Sequence, residues 1–185
     1  MFDEDFAAKI SFASQEAADR ITTAIAERPE LFAEVFGTRA ALESVLGSWA
    51  VSGVPTHGID VVPASRLPGA DAGYSADLDV IYLSDAMVAG ASMERLVDVL
   101  IEELGHRLDA ALGGDGPGDE GEALAVALRG EPVPQTEDDG GVLVLSGGGD
   151  TAIEQTTSVS DSGGFEGSSQ TVSYTHLTLP TIYSV

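Results

Sequence analysis

Residues 101–125, IEELGHRLDAALGGDGPGDEGEALA, hold the side chains best placed to do chemistry. On a helix, residues four apart differ by only about 40° around the axis, so Glu102 and His106 project side by side, as two ligands of one ion must. Glu103 lies about 60° from His106, where it can reach water at such an ion without being a ligand itself. This is the division of labour of the HExxH helix: two metal ligands, and a glutamate that takes a proton from water and passes it to a leaving amine. Here the first ligand position is Glu102 instead of histidine. Gly105 leaves room for a close backbone approach.

A catalytic zinc site takes three protein ligands and leaves a fourth position open. The third must come from elsewhere, and DEGE, residues 119–122, opens a second helix across a glycine-rich connection. Asp119, Glu120 and Glu122 are the candidates. Asp109 is placed to orient His106 or to cap the helix end. His57 is a remote further candidate, although a histidine before a glycine in a turn reads first as a solvated loop residue. The competing reading of the whole stretch is an acidic helix with solvated glutamates and a histidine packed near its end. GGDGPGD is similar to the GGxGxD motif of calcium-binding repeats, but its aspartate falls one place late and no tandem copy follows, so a calcium β-roll is not expected within these residues.

Composition narrows the chemistry. The chain carries 31 acidic and 8 basic residues, a formal charge of -23. Nucleic acid and anionic bilayers are repelled at long range, and divalent cations are attracted. With no cysteine and three histidines, a transition metal must be held by imidazole and carboxylate. No apolar run approaches the roughly 20 residues that span a bilayer, and the acidic MFDEDFAAKI is unlike a secretory signal. Such a chain suits the cytoplasm or one-step bacterial export through a C-terminal signal.

The elements that must position these residues are legible in outline. Residues 1–54 read as helices, with Ser14 and Thr38 as N-caps, Pro29 in a first turn, and apolar stripes for the core. GIDVVP and DVIYLS read as strands, joined through Leu67–Gly69 and a polar Tyr74–Asp79 stretch as loop or hairpin. Ser84 or Ser92 caps a helix over 92–112 that ends at Gly113-Gly114, and a second helix covers 118–129. PVPQTEDDGG reads as a linker, and GVLVLSGGGDTAIEQ as two strands around a glycine turn. The expected class is α+β, a mainly helical domain with a small sheet, then a β-hairpin and a truncated tail. The segments are a helical region (1–54), a core (55–131), a linker, hairpin and start of a truncated module (132–170), and a non-native tail (171–185). VSYTHLTLPT in that tail resembles a translated transposase adapter, so His176 is set aside, and the natural chain is expected to continue beyond Gln170.

ELGHRLD, followed by a glycine-rich loop and DEGEALA, resembles the zincin metallopeptidases of the gluzincin type, above all the HExGHxxD and NExEFFA helices of the anthrax lethal-factor catalytic domain. Residues 55–155 also resemble an uncharacterised domain of large secreted bacterial, notably cyanobacterial, proteins that often carry calcium-binding repeats. The resemblance implies a zincin-like core with Glu122 as third ligand, Glu120 one shell out, and zinc as the metal. Calcium or manganese are the alternatives, because two carboxylates with one histidine make a harder site than His-His-Glu. It further implies a peptide or protein substrate paired along VIYLS as an edge strand, and a secreted or cell-surface setting. Two functions follow as expectations: a metal-dependent peptidase with Glu103 as general base, or a non-catalytic module of the same fold that holds a divalent cation.

Overall fold

The structure, a computed structural model, describes residues 4–114, 119–132, 142–144 and 152–156. The chain begins with helices α1 (Glu4–Glu27), α2 (Pro29–Phe36) and α3 (Leu42–Ser52). Pro29 opens α2 as expected, because its fixed φ suits a first helical turn. Two expected caps are corrected. Ser14 lies buried within α1, its hydroxyl donating to the Ser11 carbonyl at 3.0 Å, because the helix already starts at Glu4 in an acidic stretch that suits a helix N-terminus. Helix α3 starts at Leu42, not after Thr38, and has no side-chain cap; the preceding residues form a turn in which the Leu42 N–H donates to the Arg39 carbonyl.

There follow β1 (Ile59–Val62), a 3-10 turn (Ala64–Arg66), β2 (Ala72–Ser75), β3 (Val80–Ser84), α4 (Asp85–Gly90), α5 (Met93–Ala111) and α6 (Glu120–Leu128). Both candidate serines are caps, of different helices. Ser84 Oγ accepts from the Met87 N–H at the start of α4, and Ser92 Oγ from the Arg95 N–H at the start of α5. The hairpin is present as β4 (Val142–Val144) paired antiparallel with β5 (Ala152–Thr156). The linker around 133–141 and the tail from 157 onward, including the expected non-native segment and His176, lie outside the described residues.

The sheet is mixed, in the order β1-β3-β2-β5-β4. Strands β1 and β3 are parallel, with Ile59 opposite Ile81, and β2 and β3 are antiparallel, with Tyr74 opposite Ile81. The VIYLS strand is therefore interior and not the edge expected for peptide pairing. Its two ladders are already taken, and Ile81 and Leu83 are fully buried. The Tyr74–Asp79 stretch also differs from a simple loop, since Tyr74 and Ser75 complete β2 and only residues 76–79 turn.

The fold is α+β, and one hydrophobic cluster links the N-terminal helices, the sheet, α5 and α6. Helix α5 runs through its middle, against α1, α6 and β2. From Leu96 to Asp109 every residue except Asp98 is buried, so the polar Glu102, Glu103, His106, Arg107 and Asp109 are inside along with the leucines. Such groups are costly to bury unless they are paired. Arg107 shows one solution. Its Nε donates to Asp79 Oδ1 (2.7 Å), Nη1 to the Pro55 carbonyl (2.9 Å), and Nη2 to the His57 and Asp79 carbonyls (3.1 and 2.9 Å). The guanidinium also stands over the Tyr74 ring, whose hydroxyl donates to Asp79 Oδ1. One side chain of α5 thus holds the loop before β1 and the β2–β3 turn.

Arg107→Ala should lower stability by about 2–3 kcal/mol, because charge-assisted hydrogen bonds are lost and three backbone carbonyls and the Asp79 carboxylate lose their donor. Arg107→Lys should restore little, since an ammonium cannot reach that fan of acceptors. Chemical denaturation midpoints of the three proteins check this; equal midpoints would refute it.

Candidate metal centre

Helices α5 and α6 cross at two glycines. A Cβ on Gly105 would stand 2.7 Å from the Gly121 Cα, and a Cβ on Gly121 would stand 2.6 Å from both the Glu102 carbonyl oxygen and His106 Nε2. Real Cβ atoms do not approach that closely, so only glycine at both positions permits this backbone contact. The contact brings the N-terminal end of α6 over the Glu102–His106 face of α5. Asp119 is the N-cap of α6, its Oδ1 accepting from the Glu122 N–H at 2.8 Å. The same oxygen is 3.6 Å from His106 Nε2.

Glu102, His106 and Asp119 form a group that could hold a metal ion: one potential ligand atom from each lies within 4.8 Å of the other two. Glu102 and His106 are 4% and 7% exposed, and the Asp119 side chain is 21% exposed, so the group is open chiefly on the Asp119 side. Donors about 2.1 Å from a tetrahedral zinc are roughly 3.4 Å apart, near the observed His106–Asp119 distance. The donor set is one imidazole and two carboxylates, and the space beside His106 Nε2 is one that any side chain at residue 121 would fill. These residues fit a divalent ion.

Of the residues singled out in the sequence, Glu102 and His106 are brought together as the helical spacing requires. The third place in the group is taken by Asp119, one of the three candidates that the second helix offers. A capping residue has non-helical backbone, which turns the Asp119 carboxylate across the end of α6, while Glu122 is already one turn along. Glu103 is fully buried on the neighbouring face of α5. Asp109 does not orient His106 in the way expected; it accepts from Arg39 Nη1 at 2.5 Å, and Glu120 Oε1 is 3.5 Å from Arg39 Nη2. His57 is exposed and lies 3.6 Å from Asp79, outside the group. Asp98, one turn before Glu102, faces Arg129 at 3.5 Å, and burial raises its pKa. Arg39 and Gly121 also shape this junction, and neither belongs to a motif that spacing alone would single out. The only signal for Gly121 was its place in DEGE, facing a helix that has its own glycine.

Burial raises the Glu120 carboxyl pKa from its ordinary 4.5 to about 7; the charges of Asp109 and Asp119 add to this, and the backbone hydrogen bond and Arg39 oppose it. Compared with protein-family models, with curated proteins and with solved structures, the chain finds no match, and the site stands on its own geometry.

Two outcomes are expected. Gly121→Ala should force α6 away from α5, lower stability by about 1–3 kcal/mol through overpacking, and weaken divalent-metal binding; unchanged metal affinity in the folded variant, measured by calorimetry, would refute it. The second concerns pH in the metal-free protein. The raised folded pKa of Glu120 means that the folded state holds a proton which the unfolded state has lost between about pH 4.5 and 7. The stability contributed by this group is therefore full below pH 4.5 and lost as pH rises through 7. Glu120→Gln removes the ionisation, so denaturation should show the variant gaining on wild type between pH 5 and pH 8. A constant difference across that range would contradict the assignment.

Proposed function

We propose that the chain is a zincin-like, metal-dependent peptidase domain, with Glu102, His106 and Asp119 as metal ligands and Glu103 as general base. The observation that carries this reading is the convergence of one imidazole and two carboxylates from two helices on a common point, beside a glutamate at the HExxH position. A divalent ion there supplies Lewis acidity toward a peptide carbonyl and toward water. Glu103 accepts the proton of the attacking water and returns it to the leaving amine. Glu102 and His106 keep fixed positions because both are buried on one helix, and Asp119 completes the set from the open side. Zinc is the first choice of metal from the zincin resemblance, with manganese or calcium as competitors because two of the three ligands are carboxylates. The substrate is an unstructured peptide or protein segment, and the resemblance to secreted repeat proteins supports a setting outside the cell or at its surface. Among the described residues, no helix is long and apolar enough to cross a membrane.

A second reading is favoured by one observation, the complete burial of Glu103. A base that water does not reach does no proton transfer, and the same centre then serves as a structural divalent site in a binding module.

Zinc titration of the purified chain should give one-to-one stoichiometry and metal-dependent cleavage of a peptide library. Glu103→Gln should abolish cleavage and spare binding, because an amide cannot accept the proton. His106→Ala and Asp119→Ala should lose both. Metal-dependent thermal stabilisation with no cleavage, and with Glu103→Gln silent, would select the binding module. Absence of any divalent binding would end both readings.

A further inference from the structure

Arg39 lies in the turn between α2 and α3, far in sequence from α5 and α6, yet its side chain is only 18% exposed. Nη1 donates to Asp109 Oδ1 at 2.5 Å and stands 3.5 Å from the Gly114 carbonyl oxygen, while Nη2 stands 3.5 Å from Glu120 Oε1. One guanidinium therefore touches the last turn of α5, a residue of the loop that follows that helix, and the first residue of α6. Asp109 and Glu120 are both buried, their side chains 10% and 7% exposed. Two carboxylates at facing helix ends repel each other in so dry a place, and a planar cation with two donor arms turns that repulsion into a bridge.

We propose that Arg39 is the positioning residue of the metal centre: by bridging Asp109 and Glu120 it fixes the start of α6, and so holds Asp119 opposite His106. This rests on the metal-centre reading for its functional consequence. Arg39 contacts neither Glu102 nor His106 among its hydrogen bonds, so its influence passes through the two carboxylates and the residue next to Glu120. The N-terminal helical segment is thereby tied to the chemistry of the α5–α6 junction. A lysine at this position reaches one carboxylate but not both.

The test uses the full chain, wild type, Arg39→Gln and Arg39→Lys, with Ile21→Val in α1 as a core control that lowers stability away from the junction. Two readouts are taken well below the melting temperature: amide hydrogen exchange at residues 121–123 in metal-free protein, and the Kd for zinc and for manganese by calorimetry. Arg39→Gln should speed exchange in the first turn of α6 and weaken metal binding by up to about 10–100-fold, the range for losing a direct partner of a metal ligand, from which Arg39 stands one step further out. Arg39→Lys should recover part of both, and Ile21→Val should move neither. Unchanged exchange and unchanged Kd in folded Arg39→Gln would overturn the inference. If wild type binds no metal, the proposed function fails by itself, and the exchange data alone then decide the bridge: faster exchange in Arg39→Gln keeps Arg39 as the residue that fixes α6, and unchanged exchange removes it.

Discussion

The contact of Gly105 with Gly121 is the constraint on which the centre depends. Helices normally pack 8–10 Å apart, with side chains between them. Here neither helix has a side chain at the crossing, and the backbones meet with no room for a Cβ. That approach does two things at once. It buries the start of α6 against the most polar stretch of α5, and it leaves His106 Nε2 facing the end of α6 at short range. A larger residue at either position would push the two helix ends apart, and Asp119 would no longer stand across from His106.

The same closeness creates an electrostatic problem, because α5 carries Glu102, Glu103, His106, Arg107 and Asp109 into the interior. Each is costly to desolvate without compensation. The two arginines resolve part of it in different directions. Arg107 reaches out to the sheet, where Asp79 and three backbone carbonyls receive it. Arg39 reaches in from the α2–α3 turn to Asp109 and Glu120. A divalent cation among Glu102, His106 and Asp119 would neutralise the acidic side of the junction in the same way, which is a physical reason for a metal there beyond ligand spacing alone.

The donor set shapes the chemistry that such a metal can do. Two carboxylates and one imidazole place a formal charge of about -2 around the ion, against -1 for His-His-Glu. The added charge lowers the acidity of water at the metal and shifts preference toward harder ions. Asp119 also serves as the N-cap of α6, so its carboxylate is held by the Glu122 N–H as well as facing His106. The geometry of the candidate ligands and the integrity of a helix end are thereby linked: movement of the α6 N-terminus would move Asp119 relative to His106.

The sequence determined what local geometry controls. Spacing of four on a helix joins Glu102 to His106 whatever the rest of the fold does, and glycine at 105 announced a close approach. Ser84 and Ser92 act as caps through bonds to residues three positions on, and the α+β class followed from periodicity. Tertiary structure decided what depends on partners far along the chain. VIYLS reads as a strand in isolation, but its place inside the sheet depends on β1 and β2 flanking it. Asp119, Glu120 and Glu122 are equivalent candidates in one dimension. The Gly105–Gly121 contact sets how α6 sits on α5, and that sends Asp119 to His106 and Glu120 to Arg39. No periodicity in residues 119–122 encodes this choice, because it is made by the packing of two backbones and by an arginine about 80 residues away.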